Sequence, residues 1–179
     1  GTTGIAVGSF TASQSELQRK QGITDSPEQH ANDLTGFAPS QIEARNNSTQ
    51  RAFFTKHVAE TMNWLQALKI KFVGPVAEPP NRYPRMHNVI PGAKAYIARL
   101  QIAAQKQGVE IRPNSTVTKL IINEGHVIGA EYQDAAGEIH LVRAQLAVVL
   151  AAGDYANNSE LIKRFKGGGY ENIEGINPH

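Results

Sequence analysis

The sequence contains no cysteine among its 179 residues. Disulfides, thiolate metal sites and a cysteine nucleophile are therefore excluded for this chain. It also lacks any apolar run near the roughly 20 residues that a membrane-spanning helix needs, so we predict no membrane span. Charges of both signs are mixed along the chain, with 18 Lys and Arg against 16 Asp and Glu. Because binding to nucleic acid needs a clustered basic face, we predict no nucleic-acid partner.

What is present suits an ordinary domain, since the chain is long enough for a sizeable core and 40% of its residues are hydrophobic. Several segments have the capping residues or the apolar spacing of helices. They are residues 26–36 with Ser26, Pro27 and Gly36 as end signals, residues 40–44, residues 49–68 with a stripe of Phe54, Val58, Met62, Leu65 and Trp64, residues 93–107 closed by Gly108, and residues 157–165 closed by the glycines at 167–169.

The strand predictions follow from alternation and from turn composition. Alternating segments at 117–122, 127–132 and 139–143, separated by turn-forming residues, predict an antiparallel meander. Residues 109–111 are predicted as a short strand. Residues 146–151 are apolar without alternation, which predicts a strand buried on both faces in a parallel sheet. The prolines within residues 74–86 predict an irregular connection.

Two segments have small residues that would let a ligand approach the backbone. Residues 146–151, Gly153 and the following helix form a strand–turn–helix unit, and a helix N-terminus after a strand is a natural place for a phosphate. The opening residues 1–8 offer the hydroxyls of Thr2 and Thr3 and several glycine amides. Each signal alone is weak, because the glycine spacing is not the dinucleotide fingerprint and any parallel strand can end in Ala-Gly.

Other polar residues have two interpretations each. Arg85 beside His87 forms a cationic pair that either faces an anionic substrate or phosphate, or lies on the surface at the start of a helix. Asp25 and Glu28 resemble paired acid–base carboxylates, but the electrostatics of a helix start explains them better. The histidines show no metal-ligand spacing, so no metal site is predicted.

An ordered set of segments extends over nearly the whole chain. They are Gly1-Thr2-Thr3-Gly4-Ile5-Ala6-Val7-Gly8, Gly22-Ile23-Thr24-Asp25-Ser26-Pro27-Glu28, Trp64-Leu65-Gln66-Ala67-Leu68 followed by Phe72, Arg85-Met86-His87, Gly108-Val109-Glu110-Ile111 and Leu150-Ala151-Ala152-Gly153-Asp154-Tyr155. In this order they resemble FAD-dependent fumarate reductases, succinate dehydrogenase flavoproteins and 3-ketosteroid dehydrogenases. The resemblance implies an α/β fold, a partial Rossmann-like FAD-binding domain with an antiparallel three-stranded meander and a helical insertion.

The resemblance also implies contacts with the cofactor FAD, residue by residue. The implied contacts are Thr2 and Thr3 with the phosphate and ribitol region, Gly8 and Ser9 with the flavin, Ser9 also close to the substrate, Val117 with adenine through its backbone, and Ala151, Ala152 and Gly153 with the diphosphate. Two residues depart from the family pattern. Ser9 stands where fumarate reductases often have glycine, and Asp154 stands where many members have a second glycine, so its carboxylate would repel phosphate unless it points away.

Residues 1–179 are interpreted as part of one FAD-binding domain. The family's Gly-x-Gly-x-x-Gly turn and acidic ribose-binding residue are expected before Gly1. Its catalytic arginine and histidine are expected after His179, in a substrate-capping domain. No residue of this chain is therefore assigned a catalytic role, and we expect the chain alone to be inactive.

These implications give one hypothesis and one alternative. The longer protein to which this chain is expected to belong, called the parent here, is expected to be a cytoplasmic FAD-dependent oxidoreductase that acts on a small-molecule substrate. It would move a hydride between the flavin and a carbon next to a carbonyl or carboxylate. The alternative is a non-catalytic binding or assembly module, forming a homodimer through the unpaired edge of the strand at 146–151.

Overall fold

The computed structural model describes residues 2–170, which form helices and two antiparallel three-stranded sheets. The chain divides into two compact units, with the boundary between Lys106 and Gln107. Each unit contains one of the sheets. No helix within the described residues has both the length and the apolar content needed to cross a bilayer.

The first unit has a small sheet and most of the helices. Its elements are strands β1 (Phe10–Thr11), β2 (Lys71–Val76) and β3 (Met86–Ile90), helices α1 (Glu16–Lys20), α2 (Pro27–Leu34), α3 (Ser40–Glu43), α4 (Ser48–Ala67) and α5 (Lys94–Lys106), and short 3-10 helices at Thr2–Gly4 and Thr35–Phe37. The strand order is β1-β3-β2, so β3 is central and pairs antiparallel with both neighbours.

The helices predicted for this unit are present, because their caps are local signals. Ser26 caps α2 by accepting a hydrogen bond from the Gln29 amide at 3.2 Å, and Asn47 caps α4 in the same manner. The helix α2 ends at Leu34 rather than at Gly36, since the chain tightens there into a 3-10 helix.

The core of the first unit packs one face of α4 against the sheet and the adjoining loops. Its buried residues are Ala12, Val58, Met62, Leu65, Ile70, Phe72 and Val89. The buried stripe of α4 continues through Thr55 rather than Phe54. Phe54 and Trp64 are 46% and 54% exposed, so the prediction that both belong to the apolar stripe is wrong.

The segment predicted as an irregular connection contains the end of β2 and the start of β3. Pro75 lies within β2, where it cannot donate a backbone hydrogen bond. The position is tolerated because β2 is an edge strand of this sheet, and an edge leaves one row of backbone groups without a strand partner. Pro75 therefore obscured β2, an edge strand that pairs with β3.

The second unit contains the predicted meander. Its elements are strands β4 (Thr116–Asn123), β5 (His126–Gln133) and β6 (Ile139–Arg143) and helix α6 (Ser159–Lys166). The antiparallel arrangement is confirmed, with β5 central and Ala130 opposite Val142. Asn158 caps α6 by accepting the Leu161 amide at 2.9 Å, and Gly167, with φ of 88°, ends the helix.

Two further predicted strands are absent from the described residues. Neither 109–111 nor 146–151 pairs as a strand, and Leu146, Val149 and Leu150 are 100%, 85% and 70% exposed. The prediction of a strand at 146–151 buried in a parallel sheet is therefore wrong for this structure. An apolar run favours burial, but a strand also needs backbone partners on its edges, and residues 2–170 supply none there.

Candidate functional site

The N-terminal segment forms one wall of a groove in the first unit. Thr3 and Gly4, at the end of the first 3-10 helix, line a cavity of about 430 Å³. The other wall is the start of α5, with Lys94, Ile97, Ala98 and Gln101. A Cβ added at Gly4 would meet no atom within 4 Å, so a ligand can approach this backbone closely.

The charge and polarity of this groove suit an anion. Lys94 supplies an ammonium group, Thr3 a hydroxyl and Gln101 a side-chain amide. None of the described residues that line the groove carries a carboxylate. Phosphate oxygens accept hydrogen bonds from such donors, and those from a charged donor are the stronger ones. The groove therefore fits the phosphate portion of a ligand.

Gly8 and Ser9 lie where the same segment leads into β1. Gly8 has φ of 84°, and a Cβ there would lie 2.6 Å from Val89 Cγ1 and 2.9 Å from Ala93 Cβ, so only glycine fits. Ser9 is exposed and donates its hydroxyl to Asn88 Oδ1 at 3.0 Å. The structure brings Gly8 against the body of the first unit and leaves Ser9 open to a ligand.

Val117 lies in β4 of the second unit and is 60% exposed. It lines a cavity of about 320 Å³ together with Glu110, Arg112, Ser115, Tyr132 and Val142. The Arg112 guanidinium donates to Glu110 at 2.6 Å and to the Tyr132 hydroxyl. The Tyr132 ring already stacks on His140 and lies under the Arg112 guanidinium. The predicted contact of Val117 with adenine stays a prediction.

Ala151, Ala152 and Gly153 are exposed and irregular, and Gly153 has φ of 83°. They do not line the cavity that contains Val117. Asp154 accepts a hydrogen bond from the Ala156 amide at 2.8 Å, so its carboxylate is engaged in a local turn. The predicted approach of residues 151–153 to a diphosphate also stays a prediction.

Arg85 and His87 are both completely buried, so the interpretation of this pair as a surface feature is wrong. Arg85 Nε and Nη2 donate to the two carboxylate oxygens of Asp25, each at 2.7 Å. Arg85 Nη1 donates to Asp33 at 2.6 Å and to Asn81 Oδ1 at 2.8 Å. The guanidinium therefore faces internal carboxylates rather than a ligand anion.

Both carboxylates of this network are ionised at neutral pH. Burial by itself raises the pKa of Asp25, but hydrogen bonds from Arg85 and Gln18 outweigh it and hold the pKa below the ordinary 3.8. Burial likewise opposes ionisation of Asp33, while the Arg82 amide and the Arg85 guanidinium lower its pKa. Internal charges thus neutralise Arg85, which makes it a structural residue.

Two buried histidines hydrogen-bond to serines near this network. His30 Nδ1 lies 3.1 Å from Ser13 Oγ, and burial lowers the pKa of His30 from 6.5 to about 4. His30 Nε2 is the one buried side-chain nitrogen or oxygen in residues 2–170 without a hydrogen-bond partner. His87 lies between the Phe10 carbonyl oxygen and Ser15 Oγ, and burial lowers its pKa as well. Both rings are therefore neutral at pH 7.

One further group of polar side chains lies in the hairpin between β5 and β6. Ligand-type atoms of Asp134, Glu138 and His140 lie within 4.8 Å of one another. Asp134 accepts the amides of Ala136 and Glu138 and pairs with His140 Nε2 at 2.8 Å. These bonds close the turn and explain the cluster, so we assign no metal to it.

Sequence reasoning missed Lys94, which the structure places in the groove beside Thr3 and Gly4. The positive end of a helix dipole favours carboxylates in the first turn, yet α5 has none there and begins with this lysine. A lysine at that position after a loop of small residues is a signal for an anion site.

Comparison with known proteins gives a consistent result. The profile of the FAD binding domain family matches residues 1–173. The probable fumarate reductase Ifc3 of Shewanella frigidimarina is 27% identical over 170 residues, covering 93% of this chain and 28% of that protein. A 3-oxosteroid 1-dehydrogenase of Mycobacterium tuberculosis is 31% identical over 78 residues, which are 41% of this chain and 14% of the enzyme. The open conformation of a flavocytochrome c3 fumarate reductase matches with a TM-score of 0.79 and 26% identity, covering 89% of this chain and 28% of the other.

Proposed function

Because this chain belongs to the FAD binding domain family, we propose that it is part of a flavoprotein oxidoreductase that acts on a small-molecule substrate. The reaction would move a hydride between the flavin and a carbon next to a carbonyl or carboxylate. The observation that carries the proposal is the family match over residues 1–173. The chain spans about 28% of the length of its fumarate reductase relative, so the activity is proposed for the whole protein.

We assign the anionic part of FAD to the groove beside the first 3-10 helix. Thr3 offers a hydroxyl, Gly4 leaves its backbone open, and Lys94 supplies the positive charge. Thr2 begins the same 3-10 helix but is not among the described residues that line the groove, so its contact with the cofactor stays a prediction. Lys94 extends the set that the resemblance implied. The assignment is supported by the absence of carboxylates among the described lining residues of the groove, since a carboxylate would repel the diphosphate.

We assign Gly8 and Ser9 to the flavin end of the cofactor. The flavin, when bound, supplies the hydride chemistry. Gly8 packs on Val89 and Ala93 and so fixes the start of this segment, and the exposed hydroxyl of Ser9 is available to orient a ligand. Within residues 2–170, the buried Arg85 and His87 already have internal partners and are not available to exchange a proton with a substrate. We therefore propose that the chain alone does not turn over substrate.

In the second unit we propose that Val117 contacts adenine through its backbone and that residues 151–153 contact the diphosphate. We further propose that the whole FAD-binding domain is Rossmann-like. The glycine-rich opening turn and the substrate-capping domain would belong to the parent outside this chain. The support is the order of segments shared with the family and the coverage of 28% of the relative.

The groove assignment is tested by titrating the purified protein with FAD and following flavin fluorescence. Lys94→Gln should weaken binding about 10- to 150-fold, because a charge-assisted hydrogen bond is worth about 1.5–3 kcal/mol and each 1.4 kcal/mol is tenfold. Lys106→Gln, at the other end of the same helix, is the matched control and should leave binding unchanged. Equal affinity of both variants for FAD would refute the groove assignment. A colourless purified protein that does not bind added FAD would show that this chain alone does not hold the cofactor. Turnover of fumarate or an enone by the chain alone would contradict its proposed inactivity.

The alternative function is a non-catalytic assembly module that forms homodimers. The observation that favours it is the exposure of Leu146, Val149 and Leu150, which lie together in sequence. Contiguous exposed apolar residues mark association surfaces. Light scattering together with the flavin absorbance of the purified chain distinguishes the two functions, because a colourless dimer supports the alternative and a yellow protein supports the flavoprotein.

A further inference from the structure

The segment 8–10 is held at each of its residues by a side chain from 87–96. The contacts are the Tyr96 hydroxyl donating to the Gly8 carbonyl oxygen at 2.9 Å, the Ser9 hydroxyl donating to Asn88 Oδ1 at 3.0 Å, and His87 Nδ1 at 3.1 Å from the Phe10 carbonyl oxygen. All of these residues lie within the first unit. The bonds to the carbonyl oxygens of Gly8 and Phe10 restrain the backbone, and the bond at Ser9 orients its side chain.

The backbone of this segment has little freedom to adopt another path. Gly8 has φ of 84° and packs so closely on Val89 and Ala93 that a Cβ would clash with both. Phe10 begins β1 and pairs with His87 in the sheet. The segment is thus anchored by packing at one end and by strand pairing at the other.

The donors of this arrangement are fixed in their protonation states. Burial raises the pKa of Tyr96, so its phenol stays protonated and donates at neutral pH. A carbonyl oxygen only accepts hydrogen bonds, so His87 must carry its proton on Nδ1 to bond Phe10. The other ring nitrogen of His87 then accepts from Ser15 Oγ at 2.8 Å. The ring is therefore held at both nitrogens.

We propose that Tyr96, Asn88 and His87 are positioning residues that hold 8–10 in the conformation that binds the flavin. This rests on the proposed function, which places Gly8 and Ser9 against the flavin. Because residues 8–10 already have this conformation before FAD binds, binding does not lose the conformational entropy of ordering them. Asn88 has a second effect, because its Oδ1 accepts the hydrogen bond that Ser9 Oγ donates and leaves the lone pairs of Ser9 Oγ free to accept from a ligand.

The first experiment compares Tyr96→Phe with Tyr83→Phe in the full-length, FAD-loaded protein. Tyr96→Phe keeps the ring that packs near Phe72 and removes only the bond to Gly8. Tyr83→Phe makes the same chemical change at a hydroxyl that contacts Gln29 instead. Tyr96→Phe should weaken FAD binding about 3- to 10-fold, as the loss of about one hydrogen bond implies, and Tyr83→Phe should not.

The second experiment is a double-mutant cycle with Asn88→Ala and Ser9→Ala, read out as the midpoint potential of the bound flavin. Because Asn88 acts through Ser9, Asn88→Ala should shift the potential in the wild-type background and produce no further shift in the Ser9→Ala background. A purely structural role for Asn88 would predict the same change in both backgrounds.

The outcomes separate the two proposals. A yellow wild-type protein in which Tyr96→Phe leaves FAD affinity unchanged, or in which the two substitutions of the cycle act additively, overturns the positioning role alone. A full-length protein that binds no FAD overturns the proposed function and this inference with it. Weaker FAD binding by Tyr96→Phe, normal binding by Tyr83→Phe and a coupled cycle support the inference.

Discussion

Arg85 is a fully buried charge that the sequence alone presents as half of a cationic pair. Its main partners, Asp25 and Asp33, lie 60 and 52 residues away along the chain. No local pattern connects them, because an ion pair formed through the fold leaves no spacing signal. The sequence identified Asp25 as a residue at a helix start, and its bond to the Ser26 amide at 2.8 Å is the local part of that role.

Removing the guanidinium should destabilise the first unit strongly. Arg85→Ala leaves Asp25 and Asp33 buried without compensation, and we expect a loss of about 3–5 kcal/mol in the free energy of unfolding. Arg82→Ala is the matched control, since Arg82 also pairs with Asp33 but its side chain is 57% exposed. We expect Arg82→Ala to cost about 1 kcal/mol or less. Urea unfolding measures both, and equal losses would contradict the role of burial.

His30 should make stability depend on pH. Its pKa falls from 6.5 to about 4 on folding, so between these values the unfolded chain binds a proton that the folded protein does not. Stability is therefore complete above pH 6.5 and falls as the pH drops towards 4, by up to about 3 kcal/mol at about 1.4 kcal/mol per pKa unit. Asp25 and Asp33 face the same network, but their lowered pKa values act at lower pH.

The ring-proton NMR signal of His30 reports its pKa directly. His30→Gln identifies the signal by its loss and should flatten the dependence of unfolding free energy on pH between 4 and 6.5. His126→Gln, at the exposed start of β5, is the control and should leave that dependence unchanged. A titration midpoint near 6.5 for His30 would show that burial does not disfavour its charged form.

At the scale of elements, the meander of the second unit was predictable because its signals are local. Alternation of apolar and polar residues indicates which face of each strand is apolar, and turn residues indicate where the strands end. The strand β2 was missed because Pro75 obscures a strand whose edge position only the fold reveals. Residues 146–151 show the opposite error, since composition favoured a strand that has no backbone partner within residues 2–170.

The pairing of β5 with β6 should depend on Gly129. This glycine lies opposite Arg143, and an added Cβ would lie 2.2 Å from the Val142 carbonyl oxygen. The backbone cannot move aside without breaking the ladder, so we expect Gly129→Ala to cost about 1–3 kcal/mol of stability. Gly92→Ala is the control, because a Cβ there meets no atom within 4 Å. Thermal unfolding measures both, and an unchanged melting temperature for Gly129→Ala would contradict this close approach.

At the scale of the whole molecule, the order of segments identified the family where no single motif did. The predicted resemblance to fumarate reductase and 3-oxosteroid dehydrogenase flavoproteins is confirmed, and FAD is the cofactor of the parent protein. The groove could not be predicted, because it joins Thr3 and Gly4 to Lys94 across some 90 residues of chain. The assigned contacts of Val117 and residues 151–153 with FAD stay predictions.

The exposed apolar residues of 146–150 give a prediction for the behaviour of the chain in solution. Leu146, Val149 and Leu150 are all exposed to water within five residues of sequence, and burying apolar surface gains about 25 cal/mol per Å². The purified chain should therefore self-associate as its concentration rises. Leu150→Lys places a charge in this surface and should shift the population towards monomer in size-exclusion light scattering.

Ile42→Lys is the matched control for this substitution, because Ile42 is 59% exposed in the first unit and lies outside the apolar segment. It should leave self-association unchanged, since a scattered exposed apolar residue is ordinary on protein surfaces. Wild-type chain that stays monomeric at every concentration would refute both the association and the homodimer alternative. Binding of FAD by that monomer would then leave the flavoprotein as the function that fits, because the groove proposed for the cofactor lies within the first unit.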